Sequence, residues 1–298
     1  PVISSAASDV YKRQALNILN SGRIKLAAGS IGGAKFSLNK AITYGIERKQ
    51  FGKSIAEFAA MKHKMGEMAR KIFAAESAIY RTGKNIDSKE SELKKEGKSE
   101  NEVKLEALRE FAIECAMMKV YSTEVLDYCV DESLQIHGGM GYSAETGVEM
   151  GYRDARITRI YEGTNEINRM LAFAELMKRA FKTKELNLKE AGKKIPITLL
   201  KRFLRMQKLT SEKVIENYKH LFLILSKYAF DAFGMELENE QEIIMNLSDI
   251  LTETYVAESV YLRVHKLKEQ KGSNGTIQQK ENVLALQLYE ANIKIVHC

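Results

Sequence analysis

Three short stretches carry residues that helix packing does not call for: ERKQFG (47–52), QIHGGMGY (135–142) and RIYEGTNEINRM (159–170). In the last, Glu162 stands between Tyr161 and Gly163, just before Thr164 and Asn165, which can cap a new helix. A carboxylate beside a glycine can serve as a general base when it lies within hydrogen-bond reach of the proton it removes. In the first, Arg48 offers a planar, permanently charged guanidinium of the kind that suits phosphate. In the second, Gly138 and Gly139 allow close approach of backbone to a ligand. Each stretch falls at a break between helices, where a rigid scaffold can present functional groups. Taken singly, each also has an ordinary reading: a surface charge, a helix stop, a loop acid.

Other chemistry finds little support. Cys115, Cys129 and Cys298 form no CxxC pair, and the histidines at 63, 137, 220, 265 and 297 show no ligand spacing, so no metal site is expected. No apolar run approaches the roughly 18 to 20 residues needed to cross a bilayer. The formal charge of +7 is concentrated: residues 178–208 hold eleven Lys/Arg against two Glu. The rest of the chain is close to neutral, and nucleic-acid binding by the main body is not expected.

The elements that must position these stretches are helical. Only Pro1 and Pro196 interrupt a chain without tryptophan, rich in Ala, Leu, Ile, Lys, Glu and Met. Apolar spacing predicts helices from about Ala15 to Glu47, Ile55 to Asn85, Phe111 to Glu132, 145 to 160 and on to Phe181. Further helices are expected over 211–233, 240–269 and beyond the GSNG turn at 272–275. Asn239 and Glu242 have capping-box spacing at the start of one of them. The charged stretch 87–106, without apolar periodicity, reads as a solvated loop with partly helical edges, and no segment reads as a strand. The expected fold class is all-α: a helical bundle over 15–180, a basic amphipathic connector over 181–209 and a smaller helical domain over 210–298. Residues 1–14 read as a non-native remnant, with the natural protein beginning upstream.

In order and at similar intervals, LNILNSGRIKLAAGSIGGA (16–34), ERKQFGK, QIHGGMGY and RDARITRIYEGTNEI (153–167) resemble the C-terminal helical domain of the acyl-CoA dehydrogenase family. The likeness covers about residues 15–180, and the remainder looks like the added helical domain of the very-long-chain branch. The family's upstream helical and β-barrel domains are not in this chain. The resemblance implies that Glu162 removes the α-proton of an acyl-CoA thioester while the β-hydride passes to the flavin of FAD. The product would be a trans-2-enoyl-CoA, as in fatty acid β-oxidation. It implies further that the Glu162 backbone N–H polarises the thioester carbonyl, with Tyr161 and Gly163 beside the substrate and Asn20 and Arg23 near its pantetheine arm. Asn20 departs from the Asp of many relatives. Some branches carry the base on the first helix, where this chain has Gly22, which would leave room for a long acyl chain.

For the cofactor, the resemblance maps Arg48 onto the pyrophosphate of FAD in a neighbouring subunit, bordered by Gln50 and Phe51. It maps Gln135, Gly138 and Gly139 onto the adenine end, and Thr164 and Glu166 onto the flavin. Glu166 is acidic where several relatives have an amide. A homodimer or larger assembly and an electron-transferring flavoprotein partner are therefore expected, and the chain alone is expected to be incomplete and inactive. The segment 193–208, with apolar and basic residues interleaved, reads as a peripheral membrane contact, on a protein of cytoplasmic, bacterial type. An acyl-CoA oxidase of the same superfamily, or a non-catalytic helical scaffold binding nucleic acid or a protein, stays open as an alternative.

Overall fold

The structure is a computed structural model that describes residues 5–183, 209–272 and 274–298. The segment 193–208, read as a membrane contact, lies outside the described residues. The chain separates into two compact units, Pro1–Asn168 and Arg169–Cys298.

The first unit opens with α1 (Ser5–Glu47), a helix that begins before the periodicity becomes visible at Ala15. Its buried residues Ala27, Ile31, Ala34 and Ala41 recur at helical spacing. They belong to the packing of α1 against α4 (Ala112–His137), which also packs against α2 (Ala59–Lys95) and α6 (Val148–Ile157). Because α4 is enclosed by three helices, its sequence is apolar nearly all round, from Ile113 through Met118 and Val125 to Ile136. A four-residue helix, α5 (Gly139–Tyr142), follows it.

Two expectations fail in this unit. The stretch 87–106 is helical well beyond its edges: α2 continues to Lys95, only 96–99 break the helix, and α3 (Glu100–Glu110) begins at a capping box in which Ser99 and Glu102 exchange hydrogen bonds. Ile86, Leu93, Val103, Ala107 and Cys115 form a buried cluster, with Ile24, Leu108 and Phe111 against it. One apolar residue every one or two turns suffices to dock these helices, and that sparse stripe is hidden in sequence by the charges around it. The absence of strands fails as well. Between α1 and α2 lies an antiparallel ladder, β1 (Lys49–Gln50) with β2 (Lys53–Ser54), in which Lys49 pairs with Ser54 and Gln50 with Lys53.

The second unit holds the body of α7 (Asn165–Thr183), with α8 (Ser211–Phe233), α9 (Gln241–Lys271) and α10 (Gly275–His297). Phe173 meets Phe222 edge to face with ring centroids 6.4 Å apart, and the Tyr218 hydroxyl donates to the Leu288 carbonyl at 2.8 Å. Arg169 pairs with Asp249 at 2.8 Å. The capping box expected at Asn239 and Glu242 does not form: the Asn239 amide donates to Glu236, and α9 starts after Glu240 with no side-chain cap. Among the described residues, no helix is long and apolar enough to cross a membrane.

Candidate active site

After α6 the chain turns through Thr158–Gly163 and starts α7, where the Thr164 hydroxyl accepts from the Ile167 N–H at 3.3 Å. Within this turn Glu162 has φ 58° and Gly163 φ 83°. The left-handed conformation is routine for glycine but costs other residues roughly 1–2 kcal/mol, so surrounding structure must hold Glu162 in it.

Three side chains supply that hold through the carbonyls of the turn. Asn168 Nδ2 donates to the Gly163 carbonyl at 2.8 Å and lies 3.0 and 3.3 Å from those of Thr164 and Glu162. Arg23 Nε, from α1, reaches the Glu162 carbonyl at 3.4 Å, and its Nη1 donates to Asn20 Oδ1 at 2.8 Å. Lys119 Nζ, from α4, donates to the Gly163 carbonyl at 2.7 Å and to Asn165 Oδ1 at 2.8 Å. Asn165 Nδ2 then donates to Thr123 and Glu124, which ties the start of α7 back to α4.

This bend lays the Glu162 carboxyl group over Gly22 of α1. A β-carbon added at Gly22 would stand 2.6 Å from the carboxyl carbon and from both of its oxygens, far inside van der Waals contact. The space that Gly22 leaves is thus filled by the carboxylate itself. Glu162 Oε2 is buried and has no hydrogen-bond partner among the described residues. A buried acceptor without a partner is costly, and such a group is an explicit candidate for a functional role. Around it, burial lowers the pKa of Arg23, opposed by Cys115 and Glu162. Burial pushes Lys119 down to about 8, opposed chiefly by Glu166.

The sequence-predicted site residues fall into two groups. Asn20, Arg23, Glu162, Gly163 and Thr164 come together around the turn, with Tyr161 and Glu166 exposed on either side of it. Asn20 and Arg23 are themselves buried, and Asn20 Nδ2 points to the Leu108 carbonyl at 3.4 Å, so both are engaged within the protein. Arg48, Gln50, Phe51, Gln135, Gly138 and Gly139 lie at the other end of α1 and α4. There Tyr44 of α1 stacks on His137 at the end of α4, ring centroids 4.2 Å apart, which ties the two helix ends together beside the hairpin and the glycine turn. Tyr44 and Arg23 share one helix and are separated along it by about 30 Å at the rise of an α-helix. Phe51 repeats the local geometry of Glu162: it has φ 53°, is followed by Gly52 at φ 82°, and its ring is 92% exposed. Gly138 has φ 60°, ψ −142°, a region essentially open to glycine alone.

Sequence reasoning missed Lys119, Thr123 and Asn168. The signal for the lysine was its place in the apolar run AMMKVY, where a solvated side chain has no face to occupy.

The fold and this turn define an all-α bundle that presents one unpaired carboxylate over a glycine of its first helix. The family model for the acyl-CoA dehydrogenase C-terminal domain matches residues 13–177, and a second model of the same description matches 217–296. The chain belongs to the acyl-CoA dehydrogenase family. It is 38% identical over 272 residues to a Bacillus subtilis protein described as a probable acyl-CoA dehydrogenase, an overlap of 89% of this chain and 45% of that protein. With the very long-chain specific acyl-CoA dehydrogenase of Rattus norvegicus mitochondria it shares 37% identity over 156 residues, 52% of this chain and 21% of the relative. The crystal structure of a Bacillus anthracis acyl-CoA dehydrogenase complexed with FAD superposes with a TM-score of 0.86 at 37% identity, covering 95% of this chain and 49% of that one. The chain spans about half the length of these two bacterial proteins.

Proposed function

We propose that this chain is the C-terminal half of an FAD-dependent acyl-CoA dehydrogenase of the long- or very-long-chain type, in which Glu162 takes the α-proton of the acyl-CoA. The observation that carries this reading is the buried, partnerless Oε2 of Glu162, held over Gly22 by a strained turn. A base needs a lone pair that no other donor occupies, held in a fixed direction, and this oxygen meets that need. Gly163 takes the left-handed bend after the base, where an added β-carbon would meet Asn168 Nδ2 at 3.1 Å, and the Glu162 N–H would donate to the thioester carbonyl as charge develops there. The likeness to the rat enzyme supports the chain-length class.

FAD, when bound, supplies the hydride acceptor that leaves a trans-2-enoyl-CoA as product. The residues present suit it. The Arg48 guanidinium is exposed, with no carboxylate partner among the described residues, and nothing lies within 4 Å of a β-carbon added at Gly138 or Gly139. Arg48, Gln50, Phe51, Gln135, Gly138 and Gly139 would hold the cofactor of a neighbouring subunit, and Thr164 and Glu166 that of their own. The separation of these groups along α1 supports a homodimer or larger assembly. An electron-transferring flavoprotein would take the electrons away. The basic segment 193–208 would bind anionic membrane, and reversing Lys201, Arg202 and Arg205 should abolish flotation with anionic liposomes; unchanged flotation would reject that contact.

The test is product analysis. The full gene product, given palmitoyl-CoA and electron-transferring flavoprotein, should form the trans-2-enoyl thioester. Turnover with oxygen alone, producing peroxide, would make it an oxidase, and no enoyl product with any acyl-CoA would reject the reading.

A further inference from the structure

The turn that carries Glu162 is tethered by a buried ammonium group for which the proposed reaction has no use. We propose that Lys119 is a positioning residue for the base: by holding the Gly163 carbonyl and Asn165 Oδ1 it fixes the left-handed bend that lays the Glu162 carboxyl group over Gly22. The inference rests on the reading of Glu162 as the base and deepens it.

Lys119 is fully buried, between Met118 and Val120 in the first half of α4. Burying an ammonium is costly unless its protons are satisfied, and a methionine there would fill similar volume without that cost. The cation therefore needs a reason, and its hydrogen bonds give one. Among the described residues it forms no ion pair with a carboxylate; its hydrogen bonds go to the Gly163 carbonyl of the turn and to Asn165, the first residue of α7. Hydrogen bonds made by a charged donor are shorter and stronger than neutral ones. Gly163 is also the residue whose carbonyl Asn168 holds, so the cation and the amide grip one peptide from two helices. The charged and titratable groups facing the ammonium are Arg23 of α1, Glu124 of its own helix, Glu162 of the turn and Glu166 of α7. With the ammonium pushed down to about 8, the tether weakens as alkaline pH removes its charge.

The test uses the full gene product as wild type, Lys119→Met and Lys119→Gln, with flavin reduction by saturating palmitoyl-CoA followed across pH 6 to 10. A displacement of the base by about 1 Å costs on the order of 100-fold in rate, so Lys119→Met should reduce flavin about that much more slowly with KM little changed. Its pH profile should also lack the decline that the wild type shows above about pH 8. Lys119→Gln, which keeps a donor but no charge, should lie between the two. Independently of activity, hydrogen exchange over 161–165 should accelerate in Lys119→Met. A folded Lys119→Met protein with wild-type reduction rate, pH profile and exchange would overturn the inference; should that variant not fold, wild-type behaviour of Lys119→Gln would do so. Failure of the wild type itself to reduce flavin removes the reading of Glu162 as base, and the exchange measurement still decides whether Lys119 holds the turn.

Discussion

Glu162 occupies a conformation that a glutamate adopts only under constraint, and Arg23, Lys119 and Asn168 impose it through carbonyl groups. Gly22 completes the arrangement by having no side chain. Gly22→Ala should therefore separate activity from stability: alanine favours a helix by about 1 kcal/mol over glycine, yet its methyl group must drive the carboxyl group away. We expect flavin reduction in the full gene product to fall on the order of 100-fold while Tm holds or rises; an unaffected rate would show that the carboxylate does not work from this position. Lys119 makes a pH prediction. Its pKa is lowered from 10.5 to about 8 on folding, so below about 8 the folded and unfolded chains both carry the proton and the burial cost is fully present. Between about 8 and 10.5 the unfolded chain binds a proton that the folded chain has released, and stability rises with pH. Thermal unfolding of wild type should thus gain on Lys119→Met across that window, and parallel Tm curves would contradict the assignment. Glu162, Arg48 and Gly138 were candidates in the sequence because glycines and helix breaks mark them, their roles being what the family resemblance implies. Lys119 and Asn168 were not, because which face of α4 or α7 is buried depends on neighbouring helices that no local pattern names.

At the level of elements, α8 and the C-terminal end of α1 could be read closely, because Gly234 and the ERKQFG break mark them. The stretch 87–106 could not, since Leu93 and Val103 are isolated among lysines and glutamates whose ion pairs, such as Lys104 with Glu100, are exposed. That difference has a measurable consequence. Leu93 is buried to within 3% of full enclosure, so Leu93→Ala should destabilise by about 2–4 kcal/mol. A loop position would cost about 0.5 kcal/mol or less, and denaturant unfolding separates the two. The hairpin between α1 and α2 escaped notice for another reason: two-residue strands carry no periodicity, and the pair Phe51–Gly52 lacks the usual Asn or Asp of a turn with two positive φ values. An exposed aromatic kept in that conformation is the kind of outlier that a ligand or partner explains.

For the whole molecule, the two ends of α1 are proposed to serve two different cofactors of one assembly. Subunits carrying Arg48→Glu alone, or Glu162→Gln alone, should each be inactive. Mixed and reassembled, they should recover about a quarter of wild-type activity, because in a symmetric dimer half the molecules are hybrids and each hybrid has one intact site. No recovery on mixing would place Arg48 and Glu162 in the same site. The central claim remains that the Glu162 carboxylate is the group that takes the proton. Its most direct test is anaerobic rapid mixing of the FAD-loaded full gene product with palmitoyl-CoA, wild type against Glu162→Gln. The account predicts rapid bleaching of the flavin in the wild type and essentially none in the variant, with FAD content and Tm alike in both. Bleaching of the variant at the wild-type rate would contradict it.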